Sequence, residues 1–194
     1  MNMDYQIFAM INGLAGHYHF LDFIMVAVSK WGALFYGVPL VCLWFKKTGS
    51  GQMIKNRKGV IRVILSAGIA LGINQIIGFA YFRPRPFAAH HVTLLLDRSP
   101  DPSFPSDHAA GAASVTASII GVNKAWGIIL TVMSLVMLFS RVYCGTHYPA
   151  DILGGIFTGL AGSTLAAKLW PRVDGIADKM LKKWDHLADK FAGV

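Results

Sequence analysis

Apolar residues run through this chain in blocks, and polar residues gather between the blocks. Residues 20–45 are apolar apart from Asp22, Ser29 and Lys30. As a helix rising 1.5 Å per residue, that block exceeds the roughly 30 Å thickness of a hydrocarbon core. Comparable blocks at 59–81, 108–126, 127–143 and 149–170 predict further spans. The 108–126 block is rich in Ala, Gly, Ser and Thr, a composition that suits a helix packed inside a bundle. Before the first span, Ile7, Phe8, Ile11 and Leu14 recur at helical spacing and predict a short amphipathic helix at the membrane interface. After the last, Ile176, Met180, Leu181, Trp184 and Leu187 alternate with Lys and Asp and predict a second, surface-lying one. The pattern gives an all-α integral membrane helical bundle, five transmembrane helices with amphipathic terminal helices. Neither a linker nor an internal repeat divides it, so 1–194 is one membrane-embedded domain.

Two connections stand out. Residues 46–58, rich in glycine and base, predict a polar loop, and 82–107 carries Pro84, Pro86, Pro100, Pro102 and Pro105, which break helices. Asn74 and Gln75 lie within the second span and must face other helices, because lipid cannot satisfy an amide. Gly155 and Gly159, one helical turn apart, permit a close helix contact within the chain.

Composition agrees with the bilayer as solvent: 54% of residues are hydrophobic, 14% are charged, and every acid is an aspartate. The net charge of +8 would suit nucleic acid only if the bases shared a polar face. They fall instead in two blocks, Lys46 to Arg62 and Lys168 to Lys190, as the positive-inside rule produces, so no nucleic-acid partner is expected. With both blocks cytoplasmic, an odd number of spans puts the N-terminus outside. The 82–107 connection and the 144–148 turn then share the outer face. Cys42 and Cys144 fall toward opposite faces and predict no disulfide. Met1 to Ile11 carries Asp4 and no base, which argues against a cleaved signal.

Chemistry-bearing residues collect on that outer face. Arg83 and Arg85 lie in one cluster, Ser106, Asp107 and His108 in a second, and Ser140, Arg141, His147 and Asp151 in a third. Taken singly, each reads as part of an interfacial salt-bridge network; together, so many polar groups near hydrocarbon call for a polar substrate. His147 and Asp151 are four residues apart, so a helix lets the carboxylate orient the imidazole as a nucleophile or base. His108 follows Ser106 at a helix start, which sets a proton donor beside free backbone amides. Arg85 and Arg141 offer forked donors to phosphate oxygens. These parts describe phosphoryl transfer. No cofactor or metal is required, although a metal held by His108, His147 and Asp151 is a minority alternative.

Ser140-Arg141-x5-His147-x3-Asp151 resembles the third motif of the type 2 phosphatidic acid phosphatase (PAP2) superfamily, and Pro105-Ser106-Asp107-His108 resembles its second. Arg85-Pro86 matches the end of the first, whose lysine position falls on Gly78. The resemblance implies that His147 attacks phosphorus to form a phosphohistidine while Asp151 holds its imidazole. It also implies that His108 protonates the leaving group and that Arg85, Ser106 and Arg141 hold the phosphate oxygens. Arg83 or Lys30 would replace the absent lysine, and Asp107, standing where the family has glycine, would bind water or an arginine. The Phe82-Arg83-Pro84-Arg85-Pro86-Phe87 run is similar to that of bacitracin-resistance type undecaprenyl-diphosphate phosphatases, bacterial plasma-membrane enzymes that recycle the lipid carrier of peptidoglycan synthesis. That likeness implies a polyprenyl diphosphate as substrate. Phosphatidylglycerophosphate or phosphatidic acid is the alternative, and a membrane transporter the non-enzymatic one. Oligomeric state is not fixed by any of these features. His90, His91, Asp97, Arg98 and Asp101 in the outer loop would select a head group, form a lid, or simply be solvated.

Overall fold

The computed structural model describes residues 3–192, so Met1 and Asn2 of the N-terminal stretch, with Gly193 and Val194, lie outside it. Among the described residues the architecture is wholly helical. The elements are α1 (Met3–Asn12), α2 (His19–Trp31), a 3₁₀ segment (Gly32–Tyr36), α3 (Gly37–Phe45), α4 (Ser50–Ala80), the single turn α5 (Pro86–Ala89), α6 (Asp107–Ile120), α7 (Lys124–Tyr143) and α8 (Pro149–Ala192). Four stretches among the described residues are long and apolar enough to cross a membrane: His19–Phe45, Ser50–Ala80, Lys124–Tyr143 and Pro149–Leu187. Their outward faces carry Phe79, Phe157 and Leu135 well exposed, as lipid-facing surface requires.

The first span is a helix interrupted once. Pro39 lacks an amide and its ring crowds the preceding turn, and the backbone meets this by tightening into the 3₁₀ segment between α2 and α3. The start of α7 is capped by Asn123, whose side chain accepts from Trp126 N at 3.1 Å. The start of α8 has Pro149 in its first position, where a missing amide costs nothing. Asp151 in the same turn reaches back to accept from Tyr148 N at 2.8 Å.

Three boundaries differ from expectation. The first is α6, which closes at Ile120 rather than near 126. At 14 residues it rises only about 21 Å, and it survives at that length because α4, α7 and α8 surround it. Second, α4 begins at Ser50, so most of the expected 46–58 loop is helix. Two of its bases are ion-paired: Arg57 with Asp185 at 2.6 Å, and Lys58 with Asp174 and Asp178, each at 2.9 Å. Third, the tail is no separate surface helix but runs on through Pro171 as part of α8, where Ala177 and Leu181 are buried.

Helix α8 is the spine of the bundle. A Cβ added at Gly155 would come within 2.4 Å of the Ser106 carbonyl oxygen, and at Gly159 within 2.5 Å of that of Ala110. At Gly162 it would meet Ala70 of α4 at 2.7 Å. The close contact expected at Gly155 and Gly159 is therefore made inside the chain, against α6. The amides of the second span also face inward at Asn74, which donates to Asp107 at 2.9 Å and accepts from Thr158 at 2.6 Å.

Candidate active site

The start of α8, the start of α6, the turn 144–148 and the loop between α4 and α6 meet at one end of the bundle. The turn is forced by its sequence: Gly145 sits at φ +81°, where a Cβ would meet Thr93 O at 2.8 Å. Helix α1 staples the same end. Asn12 donates to Thr93 O and to Tyr143 O, both at 2.8 Å, and Phe8 is buried against the Tyr148 ring. A cavity of about 910 Å³ opens there, and Arg85, Asp107, His108, Arg141 and His147 all line it. Segments far apart in sequence thus contribute both imidazoles to one space.

The tautomer of His147 follows from its neighbours. Its Nδ1 lies 2.9 Å from the Ser103 carbonyl oxygen. A carbonyl only accepts, so Nδ1 carries the proton and Nε2 keeps the lone pair. That lone pair faces Arg85, whose Nη1 is 3.4 Å away. Burial, then the positive charges of Arg141 and Arg85, hold the His147 pKa below the usual 6.5 or so, against the opposing pull of Asp151. At neutral pH the imidazole is therefore uncharged, with its lone pair on Nε2.

Asp151 does not bond this ring directly. Its Oδ2 is 3.8 Å from Nδ1, beyond hydrogen-bonding distance. It accepts from Ser103 Oγ at 2.5 Å and from Tyr148 N at 2.8 Å. Ser103 is therefore an intermediary, giving its hydroxyl proton to Asp151 and its carbonyl to His147. The other oxygen, Oδ1, accepts from Arg83 at 2.6 Å, and the same guanidinium donates to Asp4 at 2.5 Å. Arg83 also lies over the Tyr148 ring, 4.2 Å from its centroid. The hydrogen bond to Asp4 and the charges of both acids outweigh burial and raise the Arg83 pKa. It faces away from the cavity, bound to two carboxylates.

Other polar groups nearby keep hydrogen-bonding capacity unused. Arg85 donates to the Asp101 carbonyl at 3.0 Å and, more loosely, to that of Thr146. Burial lowers its pKa somewhat, and the nearby aspartates offset part of that. Arg141, also buried, donates from Nη1 to Ser29 Oγ at 2.8 Å, but its Nε has no partner. Ser106 caps α6 without using its side chain, and its Oγ is likewise buried and unpartnered. Its amide donates to the Asp151 carbonyl at 3.0 Å, which ties the first turn of α6 to that of α8. Asp107 is neither free nor bound to arginine; Asn74 and Gln75 donate to its two oxygens. Among the described residues no group of three His, Cys or Asp side chains is placed to hold a metal.

Of the residues singled out in the sequence, Arg85, Asp107, His108, Arg141 and His147 line the cavity, Ser106 and Asp151 are buried beside it, and Arg83 turns to Asp4 and Asp151. Sequence reasoning missed Ser103, Asp4, Thr146 and Ser29. Of these only Asp4 stood out as a charge in an apolar stretch; the rest act through backbone oxygens or a single hydroxyl, which no spacing announces.

Residues 59–174 match the model of the PAP2 superfamily. The chain belongs to that superfamily. It is 37% identical over 189 residues to "Undecaprenyl-diphosphatase BcrC" of Bacillus subtilis (strain 168), covering 97% of this chain and 95% of the relative. Among solved structures it resembles a transmembrane PAP2 type phosphatidylglycerolphosphate phosphatase from Bacillus subtilis, with TM-score 0.64 and 25% identity over 89% of each chain. It also shares the fold of Aquifex aeolicus LpxE, with TM-score 0.69 and 20% identity, covering 87% of this chain and 96% of that one. With its apolar spans, the chain is a multi-pass membrane protein of this superfamily.

Proposed function

We propose that the chain removes the terminal phosphate of a lipid-linked diphosphate, undecaprenyl diphosphate, giving undecaprenyl phosphate and inorganic phosphate at the extracytoplasmic face of a bacterial plasma membrane. One observation carries the chemistry: the Ser103 carbonyl fixes the His147 proton on Nδ1 and leaves the Nε2 lone pair in a cavity that also holds His108 and two arginines.

His147 Nε2 forms a bond to the terminal phosphorus as the bridging P–O bond breaks, and His108, protonated once the negative charge of the diphosphate sits beside it, gives its proton to the departing lipid phosphate. Positive charge arising on the imidazole is stabilised by Asp151. Neutral His108 then takes a proton from water, whose oxygen bonds to phosphorus as the N–P bond breaks. Inorganic phosphate leaves and both histidines are restored. Arg85, Arg141 and Ser106 Oγ hold the charge spread over the phosphoryl oxygens.

Likeness to the Bacillus undecaprenyl-diphosphatase along nearly the whole chain supports the substrate. The outward orientation is supported by the placement of the ion-paired bases Arg57 and Lys58 at the opposite end of the bundle, as the positive-inside rule requires. Phosphatidylglycerophosphate is the second reading, favoured by the structural likeness to a phosphatase for that lipid.

Phosphate release from undecaprenyl diphosphate, phosphatidylglycerophosphate and phosphatidic acid, measured on purified protein in chelator, tests both. The diphosphate is expected to be preferred, and His147→Ala should lose turnover by about 10⁴-fold or more while staying folded. Preference for a glycerolipid would overturn the substrate. Full activity in His147→Ala would overturn the mechanism.

A further inference from the structure

We propose that Lys30 selects diphosphates over monophosphates, its ammonium holding the phosphate group that remains on the lipid. This rests on the lipid-diphosphate reading above and deepens it.

Lys30 is a cation inside an apolar span, a costly placement that calls for a compensating role. It lines the same cavity as His147, Arg85 and Arg141. Its neighbour Ser29 receives Arg141 Nη1 at 2.8 Å, so Lys30 and the anchor of Arg141 are consecutive positions on one wall. The charge at Lys30 is available. Its ion pair, with Asp97 at 3.5 Å, joins a 45% exposed side chain to a 95% exposed one, and pairs so open to solvent hold weakly. Asp97 comes from the loop between α4 and α6, so an arriving anion can displace it. Arg83, the other cation near the site, is bound to Asp4 and Asp151 and does not line the cavity.

The chemistry asks for a cation there. A single phosphoryl group has few oxygens to satisfy, and Arg85 and Arg141 already line the cavity to meet them. A diphosphate adds a second phosphoryl one bridging oxygen away, and P–O cleavage leaves additional negative charge on that group. A fixed cation beside it stabilises the charge where it develops. Lysine, a compact charge on a flexible stem, can follow the group as it departs.

The position has a simpler use. Lys30 lies in the last turn of α2, where any cation complements the helix dipole. A dipole role would not distinguish one phosphate from two, which sets the experiment. Purified wild type, Lys30→Gln and Lys30→Arg are compared for KM on undecaprenyl diphosphate, and for competitive inhibition by methylenediphosphonate and by orthophosphate. In Lys30→Gln, KM and the methylenediphosphonate inhibition constant should each rise about tenfold or more, while the orthophosphate constant stays within about twofold. Lys30→Arg should recover most of the loss. Equal weakening of both inhibitors, or of neither, overturns the proposal and leaves the substrate reading intact. A wild type that fails to cleave the diphosphate overturns the substrate reading, and this proposal with it.

Discussion

The two ends of the bundle treat their cations differently. At the end distant from the cavity, Arg57 and Lys58 of α4 finish on carboxylates of α8, and Trp184 packs against Trp44 beneath them. At the cavity end Arg83 is dealt with in that way, and Lys30 meets only the exposed Asp97. Arg85 receives carbonyl oxygens, Arg141 keeps an unpartnered Nε, and Ser106 an unpartnered hydroxyl. Buried donors without partners are destabilising, and the proposed diphosphate would satisfy those of Arg141 and Ser106. The contrast separates cations that join helices from cations whose proposed partner is the substrate.

Three experiments press on this distinction. The largest effect belongs to Asp151→Asn, expected to lower kcat by about 10³-fold, since a charge beneath the nucleophilic imidazole is lost. It also carries a pH signature. Asp151 raises the His147 pKa while burial and the arginines lower it. The neutral ring is the reactive form, so activity in the wild type should persist below the usual imidazole range and fall as pH drops through the lowered value. Removing the carboxylate should move that acid limb of kcat/KM to still lower pH; a limb moving upward would show that Asp151 acts otherwise.

Arg141→Gln should come next, with kcat/KM reduced about 10- to 100-fold as a charged donor to phosphate is removed. Thermal stability should change little, because the arginine is only partly satisfied without substrate. A large fall in stability with modest loss of rate would place Arg141 among the joining cations instead. Smallest is Lys58→Gln at the distant end, where phosphate release should match wild type and stability should fall by no more than about 1 kcal/mol. A loss of turnover there would erase the contrast.

Much of this was legible in the sequence, for physical reasons. Asp151 in the first turn of α8 lies four residues beyond His147, and Ser106 and His108 open α6, so local spacing brought each pair close, although the link from His147 to Asp151 runs through Ser103. The loop expected at 46–58 failed on the same logic: composition shows the bases but not Asp174, Asp178 and Asp185, more than a hundred residues on, that let them remain helical. Ser103 escaped for a similar reason. Its part depends on a backbone oxygen brought to His147 by the fold, and its side chain differs in nothing from other serines of the loop.

The glycine seam between α6 and α8 has a mechanical result. Gly155 rests on the carbonyl of Ser106 with no room for a single methyl group, only one turn beyond Asp151. The two halves of the site, one leading out of the turn that holds the proposed attacking nitrogen and the other starting at the proposed proton donor, are thereby clamped together, and aim is set by the backbone itself rather than by side chains that could swing.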